Sequence, residues 1–530
     1  MAKVKWTKEQ ENAIYEKGNN ILVAAAAGSG KTAVLVERII NKVLNDNVDI
    51  DKLLIVTFTN AAAAEMKERI LNTIYQKLEE EPENKRLQRQ IILLNKASIC
   101  TIDSFCLDVV RNNFFELKGI SPNFRIADTS ELEILKLEVL EELFEEKYEQ
   151  DDNAFLKLIN TYTSYRDDTP LKEMILKIHS YTQSNPFPEK WLNEHIEMYN
   201  IKNKLEQDFS NTPWGKILLE DAKQELIDDI VILKDIHKLL QEDEKLEKFE
   251  QTVAQDIKQL EILQNNLENW DKSFEFYSNI NFSTWPRNKV ESEIKEEAKK
   301  IRDDVKKKLS GKLNKIFICN SKTANKDIYS TYNTLKNLED LILEFQTKFF
   351  KKKREKNIVD FNDIEHFALE LLLKLDENGK LVETQVAKKY QEKYEEIAID
   401  EYQDSNLVQE YIMGAVSKKN NIFMVGDVKQ SIYKFRQAMP ELFLSKYYKY
   451  SNISERKKGD NLKIQLFKNF RTRENVLNFT NIIFENIMSK DLGDVDYTKE
   501  EFLNLGAEDY EDLNQDLKAE IDIIDINFCF

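Results

Sequence analysis

Short apolar runs alternate with helical patterns over the first part of the chain. The runs NILVAAA (residues 20–26) and LLIVTFT (residues 53–59) are rich in Val, Ile and Leu, which is typical of strands buried on both faces. Segments with helical spacing follow them, KTAVLVERIINKVL and AAAAEMKERILNTIYQKL. ASICTIDSF (residues 97–105) predicts a third strand that runs into a loop. The pattern therefore predicts an α/β fold with a parallel sheet.

The sequence pattern changes in the middle of the chain. SELEILKLEVLEELF begins with a Ser130/Glu133 capping box and continues as an amphipathic helix, and the pattern stays mostly helical to about residue 350. Residues 216–285 contain neither Gly nor Pro. The simplest interpretation is a helical insertion with its own core, and a surface that binds a partner or guides DNA is the alternative.

Strand patterns return after the charged run KKKREK (residues 351–356), which we interpret as a boundary although such runs are usually solvated faces. EEIAID (residues 395–400) and NIFMVGD (residues 421–427) predict two more strands of the sheet. LKIQLF (residues 462–467) predicts a strand that begins another unit.

Composition and charge narrow the class of protein. Only 12 Gly and 8 Pro in 530 residues favour long helices. The net charge of -18 argues against a nucleic-acid partner, but residues 490–530 hold 13 acidic and 3 basic residues and so contribute -10 of it, which leaves room for a local basic stripe. No apolar run is long enough for a bilayer span, and the N-terminus lacks the core of a signal peptide, so we expect a cytoplasmic protein without a membrane partner. The four cysteines form no CxxC pair, which argues against a zinc or iron–sulfur site.

The first candidate for chemistry is AAAAGSGKT, which follows a predicted buried strand and opens a helix as a P-loop does. Its backbone N–H groups would hold phosphate oxygens, Lys31 would reach the β and γ phosphates of ATP, and Thr32 would ligate Mg²⁺. A chance Gly-rich turn is the alternative, and the generic first glycine is Ala25 here. The expected nucleotide-binding loop is Ala25, Ala26, Ala27, Gly28, Ser29, Gly30, Lys31 and Thr32.

The second candidate is AIDEYQD (residues 398–404), an apolar strand that ends in two adjacent carboxylates. Asp400 could hold Mg²⁺ through water, and Glu401 could orient and deprotonate the attacking water. Adjacent acids at a strand end are often only solvated. The P-loop makes the catalytic interpretation the stronger one, because phosphoryl transfer needs a cradle, a metal-holding acid and a group that positions water.

The third candidate is VGDVKQSIYKFRQA (residues 425–438). Gln430 lies just beyond a predicted strand, where its amide could sense the γ-phosphate. Tyr433, Phe435 and Arg436 supply flat faces and a cation of the kind that stacks on unpaired bases. The alternative is that the two aromatic side chains belong to the core.

Seven segments occur in the order of one family: TKEQ, GSGKT, TFTNAAAAEMKERI, TIDSF, DEYQD, VGDVKQSIYKFRQA and NFRTRENV. In this order the chain resembles the UvrD/PcrA/Rep-like superfamily 1 DNA helicases. AAAAGSGKT, the acidic LGDVDYTKEEFLNLGA (residues 492–507) and the helical insertion resemble most the A subunits of AddAB helicase-nucleases.

This resemblance implies a RecA-like P-loop core with a large inserted all-α domain and the truncated start of a second RecA-like domain. The implied parts are residues 1–122 and 355–455 for the first core, residues 123–354 for the insertion and residues 456–530 for the second core. It also implies a motor that moves 3′ to 5′ on single-stranded DNA, acts at duplex ends in double-strand-break repair and recombination, and pairs with an AddB-type subunit.

Site roles follow from the same resemblance. Gln10 would read the adenine of ATP, Phe470 would stack on it where relatives often have tyrosine, and Arg471 would reach the γ-phosphate as an arginine finger. The implied DNA path consists of Phe58, Thr59, Asn60, Thr101, Ser104, Tyr433, Phe435 and Arg436. Asp103 stands where many relatives have histidine, and Phe435 where many have tryptophan.

Relatives of this kind continue beyond NFRTRENV to further motifs and a metal-dependent nuclease domain, neither of which is recognisable here. We therefore expect a truncated chain whose nucleotide site is largely formed but catalytically incomplete. A plain UvrD-like repair helicase without a nuclease and a binding module switched by ATP are the alternatives. The adjacent acids Asp400 and Glu401 favour turnover, because a pure switch needs no group that activates water.

Overall fold

A computed structural model describes residues 5–164, 167–287, 290–490 and 495–507. The expected start of a second core therefore lies partly outside the described residues.

The helices are α1 (Lys8–Tyr15), α2 (Lys31–Leu44), α3 (Asn60–Glu80), α4 (Lys85–Leu93), α5 (Ile102–Asn113), α6 (Thr129–Glu149), α7 (Asn153–Tyr162), α8 (Thr169–Thr182), α9 (Pro188–Glu197), α10 (Pro213–Gln241), α11 (Glu247–Gln264), α12 (Trp270–Ser278), α13 (Glu293–Ile316), α14 (Ser321–Glu355), α15 (Phe361–Leu372), α16 (Gln385–Lys393), α17 (Leu407–Ala415), α18 (Pro440–Lys449) and α19 (Glu474–Ile487). The strands are β1 (Ile21–Ala25), β2 (Leu53–Thr57), β3 (Ser98–Thr101), β4 (Arg125–Ile126), β5 (Ile358–Val359), β6 (Leu373–Leu375), β7 (Leu381–Glu383), β8 (Glu396–Ile399), β9 (Ile422–Gly426), β10 (Ser451–Asn452), β11 (Leu462–Leu466), β12 (Lys468–Asn469) and β13 (Asn504–Leu505).

Seven strands form one parallel sheet in the order β10-β11-β1-β9-β8-β2-β3. Successive side chains of a strand point to opposite faces, so each strand supplies two cores. Leu54 and Val56 of β2 belong to one apolar cluster, and Leu53 and Ile55 belong to the other. Helices cover both clusters, and the predicted α/β fold with a parallel sheet is confirmed.

Two helix starts differ from the sequence patterns. Residues 102–105 are helical rather than a loop, because the Thr101 hydroxyl accepts from Ser104 N (3.3 Å) and starts α5. The prediction of a Ser130/Glu133 capping box is also wrong. Helix α6 begins at Thr129, and Asp128 Oδ1 accepts from Glu131 N (2.8 Å).

The expectation that LKIQLF begins another unit is wrong for β11. This strand pairs in parallel with β1, from Ile21 opposite Leu462 to Ala25 opposite Leu466. It therefore belongs to the main sheet. The division into residues 1–122, 123–354, 355–455 and 456–530 stays a prediction.

The run KKKREK is not simply a solvated face. Lys353 is 4% exposed, and its Nζ lies 2.7 Å from Asp360 Oδ2 and 2.6 Å from Asp363 Oδ2. Both acids also form the capping box that starts α15. The buried ammonium is thus paired where α14 ends and the sheet part of the chain resumes.

Two compact units emerge among the described residues. The sheet belongs to the unit made of Met1–Leu143, Leu176–Pro188 and Phe345–Phe530. Phe144–Ile175 and Glu189–Glu344 form the other unit, which is built of helices around its own apolar core. There Trp270 Nε1 donates to the Cys319 carbonyl (2.9 Å), and Arg302 pairs with Asp256 (2.7 Å).

A buried ion pair ties the first two helices to the sheet. Arg38 of α2 is 1% exposed, and its Nε and Nη2 donate to the two carboxylate oxygens of Glu396 on β8 at 2.8 and 2.7 Å. Its Nη1 donates to the carbonyls of Ala13 and Glu16 at the end of α1, both at 2.8 Å. The guanidinium also stacks over Phe423 of β9, 4.2 Å from the ring centroid. One side chain therefore joins α1, α2, β8 and β9.

Glu396→Gln should lower the free energy of unfolding by about 3 kcal/mol, because Arg38 would stay buried without its counter-charge. Urea unfolding of the variant and the parent measures this. Glu395→Gln is the matched control, since the neighbouring Glu395 side chain is 52% exposed and pairs with Lys418 at the surface. We expect a change below about 0.5 kcal/mol there. Equal midpoints for Glu396→Gln and the parent would contradict the role of this ion pair.

Candidate functional site

The loops with candidate chemistry follow four adjacent strands of the sheet. Strands β11, β1, β9 and β8 are neighbours and parallel, so their carboxyl ends meet at one edge. This edge is where parallel α/β sheets bind ligands. One cavity there is lined by Ala27, Gly28, Ser29, Gly30, Lys31, Thr32, Ala33, Arg69, Glu401, Gln430 and Arg471. It brings together residues from five of the seven motif segments.

The loop between β1 and α2 owes its path to two glycines. Gly28 and Gly30 have φ angles of 70° and 83°, in the left-handed region that glycine tolerates best. Helix α2 starts at Lys31 with Gly30 as its cap, so no side chain caps its first N–H groups. Ala25 lies inside β1 and Ala26 N donates to the Leu466 carbonyl (2.9 Å), so these two predicted loop residues do not line the cavity. The part of the loop that lines the cavity begins at Ala27.

The acid pair lies directly across from this loop. Lys31 Nζ lies 3.3 Å from Glu401 Oε2, and the backbone of Glu401 is held in the left-handed region at a φ of 50°. Such a conformation is strained for a residue with a side chain and is common at functional sites. Glu401 borders the cavity that Lys31 lines and also a neighbouring one, whereas Asp400 lines only the neighbouring one. Burial, with the charge of Glu401 added, raises the pKa of Asp400 to about 6, and Lys31 opposes this shift.

The segment after β11 is fastened to the loop by its backbone. Phe470 N donates to the Gly28 carbonyl (2.9 Å), and Asn469 Nδ2 donates to the Ala27 carbonyl (2.8 Å). Asn469 Oδ1 accepts from the backbone N of Arg471 (2.8 Å), which places Arg471 on the cavity wall. A Cβ on Gly28 would come within 2.6 Å of Asn469 Nδ2, so this contact requires glycine.

Two other predicted residues have their amides engaged. Gln10 is buried, its Oε1 accepts from Thr7 N (2.9 Å), and its Nε2 donates to the Ser29 carbonyl (3.1 Å). It therefore lies against the phosphate loop from α1. Gln430 Nε2 donates to Asp427 Oδ2 (2.7 Å), and the residue lines the cavity.

Three residues of this site lie inside the seven motif segments, but no role was predicted for them. Asn469 and Gln403 are buried amides, and each has one partner in another loop, the Ala27 carbonyl and the Asp427 backbone N. Arg69 of α3 lines the cavity and pairs with Glu65 one turn earlier. The signal that could have found all three is their place in TFTNAAAAEMKERI, DEYQD and NFRTRENV, since these segments are among the seven that point to the site.

The residues of the predicted DNA path form an aromatic and polar surface beside the cavity that Lys31 and Glu401 line. The rings of Phe58 and Tyr433 lie 4.6 Å apart, and those of Tyr433 and Phe435 lie 5.8 Å apart. Arg436 lies over both of the latter rings, at 5.4 and 5.8 Å. Phe435 is 73% exposed, so it is not a core aromatic. Flat exposed faces beside a guanidinium suit unpaired bases.

The polar members of this path have local partners as well. The hydroxyl of Thr59 caps α3 and that of Thr101 caps α5, where it also lies 2.9 Å from Ser104 Oγ. Together with Phe58 and Asn60 they line one cavity. The structure thus brings all eight predicted residues except Phe435 to the two cavities beside the nucleotide loop.

Asp103 also lines both of these cavities, and its charge acts on a buried carboxyl nearby. Glu365 on α15 accepts from Gln409 Nε2 (2.8 Å) on α17. Burial, with the charge of Asp103 added, raises the pKa of Glu365 to about 7. Two acids that interact in this way resist ionising together.

Among the described residues, no group of three or more His, Cys, Asp or Glu side chains is placed to hold a metal ion. Likewise, none of the described helices has the length and apolar character to cross a membrane.

The sequence family described as the UvrD/REP helicase N-terminal domain matches residues 6–259 and 250–451. A protein of Clostridium beijerinckii, named as the A subunit of an ATP-dependent helicase/nuclease, is 44% identical over 540 residues, which cover 99% of this chain and 43% of that protein. Proteins with the same name from Clostridioides difficile and Thermoanaerobacter sp. are 45% and 46% identical over 96% and 95% of the chain. The chain spans about two fifths of the length of these relatives, 40% and 41% in the last two.

Glu365→Gln should remove a pH-dependent penalty on folding. The pKa of a glutamate in an unfolded chain is about 4.3, whereas burial raises the pKa of Glu365 in the fold to about 7. The contribution of Glu365 to the free energy of unfolding is therefore largest below about pH 4. It falls by on the order of 3 kcal/mol as the pH rises through about 7. The thermal midpoints of variant and parent, measured from about pH 5 to about pH 8, should diverge in favour of the variant as pH rises.

Glu370→Gln is the control on the same helix, because Glu370 is exposed. Its midpoints should follow the parent at every pH. A Glu365→Gln curve that also runs parallel to the parent would show that the buried acid does not set this pH dependence.

Proposed function

We propose, since this chain belongs to the family of UvrD/REP helicase N-terminal domains, that it binds ATP and hydrolyses it slowly, as the part of a larger motor that moves 3′ to 5′ along single-stranded DNA. The observation that carries the proposal is the single cavity lined by Gly28, Gly30, Lys31, Glu401, Gln430 and Arg471. Few other chemistries need a phosphate cradle, a carboxylate and two polar groups from separate loops at one place.

Each residue has a distinct role in hydrolysis. The backbone of the glycine loop and Lys31 bind the phosphates, and Glu401 orients the attacking water and takes its proton. Gln430 and Arg471 approach the γ-phosphate from two other loops, where they stabilise the charge that develops in the transition state. Gln10 and Phe470 would contact the base.

Mg²⁺ bound with ATP would neutralise phosphate charge, held by Thr32 and, through water, by Asp400. The two residues fit this role in chemistry, since a hydroxyl and a carboxylate are oxygen ligands that Mg²⁺ prefers. They line neighbouring cavities that Glu401 joins.

The DNA path begins where the nucleotide site ends. Gln430 and Tyr433 lie three residues apart in one segment, so the γ-phosphate contact and the base-stacking ring share a short piece of backbone. Phe58 and Arg436 complete the aromatic groove around Tyr433. A shift of this segment on hydrolysis would therefore act directly on the DNA.

The relatives' name supports a proposal for the biological setting. We infer that the chain is the motor part of an ATP-dependent helicase/nuclease that acts on duplex ends in double-strand-break repair and recombination, in the cytoplasm. Because the relatives are named as one subunit of an assembly, their name agrees with an AddB-type partner. The division into two RecA-like cores and a helical insertion is part of this proposal.

Lys31→Ala and Glu401→Gln should separate binding from turnover. The assay is single-turnover ATP hydrolysis, which detects slow rates. We expect single-stranded DNA to stimulate hydrolysis by the parent chain. Both variants should lower the rate constant by roughly 100-fold or more. Glu401→Gln should keep ATP affinity within about threefold of the parent, because only the base is lost. Hydrolysis that survives in Glu401→Gln would remove this residue from the role of base, and ATP binding without any parental turnover would favour an ATP switch.

Phe435→Ala should weaken the binding of single-stranded DNA by about tenfold or more, the effect of losing about 1.5 kcal/mol of base stacking. Fluorescence anisotropy with a labelled oligonucleotide measures this. Phe276→Ala is the control, because Phe276 is an exposed aromatic of the helical unit. A control that loses as much affinity as Phe435→Ala would place the DNA elsewhere.

A further inference from the structure

Gln403 lies between the two loops that carry Glu401 and Gln430. It occupies the short turn Tyr402–Asp404 after β8 and is 1% exposed. Its Nε2 donates to Glu401 Oε2 (2.9 Å) and to Asp404 Oδ2 (3.2 Å). Its Oε1 accepts from the backbone N of Asp427 (3.0 Å), at the end of β9. Both ends of the amide are therefore committed to named partners.

These partners leave the amide only one orientation. Carboxylate oxygens can only accept from Nε2, and a backbone N–H can only donate to Oε1. A rotation of the amide by 180° would set an oxygen against two carboxylates. The chemistry of the surroundings thus fixes which way Gln403 points.

The hydrogen bonds continue to Gln430 without interruption. Asp427 is buried, and its Oδ2 accepts from Gln430 Nε2 (2.7 Å). At the other end, Glu401 Oε2 also faces Lys31 Nζ (3.3 Å). A continuous path of side-chain and backbone contacts thus runs from the phosphate-binding lysine through Glu401, Gln403 and Asp427 to Gln430.

The backbone makes room for this amide. A Cβ on Gly426 would lie 2.3 Å from Gln403 Oε1 and 3.2 Å from the Phe443 ring. The strand β9 therefore ends in glycine at the one place where Gln403 crosses from β8. The close approach is a property of two residues together and not of Gln403 alone.

We propose that Gln403 is a positioning residue that couples Gln430 to Glu401, so that contact of Gln430 with the γ-phosphate aligns Glu401 for turnover. The inference rests on the proposed function. Gln403 does not touch the nucleotide cavity itself, since it is absent from the residues that line it. Its loss should therefore affect turnover and leave ATP binding in place.

Gln403→Glu is the sharpest variant. It keeps the size and the oxygen that accepts from Asp427, and it replaces the donor that faces Glu401 and Asp404 with a second oxygen. Gln90→Glu is the matched control, because Gln90 is also buried, accepts from Ile50 N (2.9 Å) and donates to Asp49 Oδ1 (2.8 Å), on α4. Both variants place a carboxyl in a buried amide site, and only one of them lies between Glu401 and Gln430.

The experiment compares single-turnover ATP hydrolysis, ATP affinity and thermal midpoint for the full chain, Gln403→Glu, Gln90→Glu and Lys31→Ala. We expect Gln403→Glu to lose at least about 50-fold in the rate constant with single-stranded DNA present and to keep ATP affinity within about threefold. Gln90→Glu should keep both values within about threefold of the parent, whatever its midpoint.

Gly426→Ala tests the same coupling from β9. Gln403→Met removes both ends of the amide, and Gly426→Ala should reduce turnover as this variant does. A chain that carries both Gly426→Ala and Gln403→Met should lose no more than the larger single effect, because both changes break one contact. Multiplicative losses in the double variant would overturn the coupling.

The other outcomes are equally decisive. Turnover of Gln403→Glu within about threefold of the parent would overturn the inference and leave the proposed function standing. Loss of ATP binding together with turnover would overturn it as well, because Gln403 would then only hold the site together. A parent that hydrolyses no more ATP than Lys31→Ala would overturn the proposed function, and this inference with it.

Discussion

The site depends on one constraint, the parallel order of β11, β1, β9 and β8. Parallel neighbours end at the same edge, so four loops that are far apart in the sequence leave the sheet side by side. Each loop contributes one kind of group: a phosphate cradle, a carboxylate pair, an amide and a guanidinium. The Arg38–Glu396 ion pair holds β8 against α2 beneath this edge, which keeps the cradle and the carboxylates in register.

Two glycines at this edge each leave room for a buried amide side chain. Gly28 lets Asn469 reach the phosphate loop, and Gly426 lets Gln403 reach the end of β9. In each case a buried amide bridges two strand ends, and a methyl group on the glycine would occupy its place. The loops can therefore respond to one another directly, since each amide contacts both strand ends itself. Such direct links suit a motor in which the state of a phosphate must be sensed elsewhere.

The sequence predicted well what depends on local pattern and poorly what depends on distant partners. The sequence was enough to recognise β1, β2 and the two glycines of the phosphate loop, because apolar density and glycine spacing are properties of a short segment. The pairing of β11 with β1 was not, because it joins Leu462 to Ile21 across most of the chain. Asn469 and Gln403 lie in two of the motif segments, but their roles were missed for a related reason. A lone amide has the same appearance in sequence whether it faces water or, as Asn469 does, a carbonyl 442 residues away.

The helix starts show the same limit on a smaller scale. Ser130 and Asp128 are both good capping residues, and only the path of the preceding chain decides that Asp128 is used. Lys353 lies in a run that is solvated in most proteins, and two acids of the next helix capture it. Charge runs and caps therefore predict that a helix ends or begins nearby, and tertiary contacts choose the residue.

The most direct test of a four-loop site is the affinity for ADP with aluminium fluoride, which imitates the phosphoryl group in transit. A site that closes on the transition state should bind this complex at least about tenfold more tightly than ADP alone, and Arg471→Ala should abolish most of the difference. Equal affinities for the two ligands in the parent chain would contradict the account, because the loops at the sheet edge would then form a nucleotide pocket without the means to act on it.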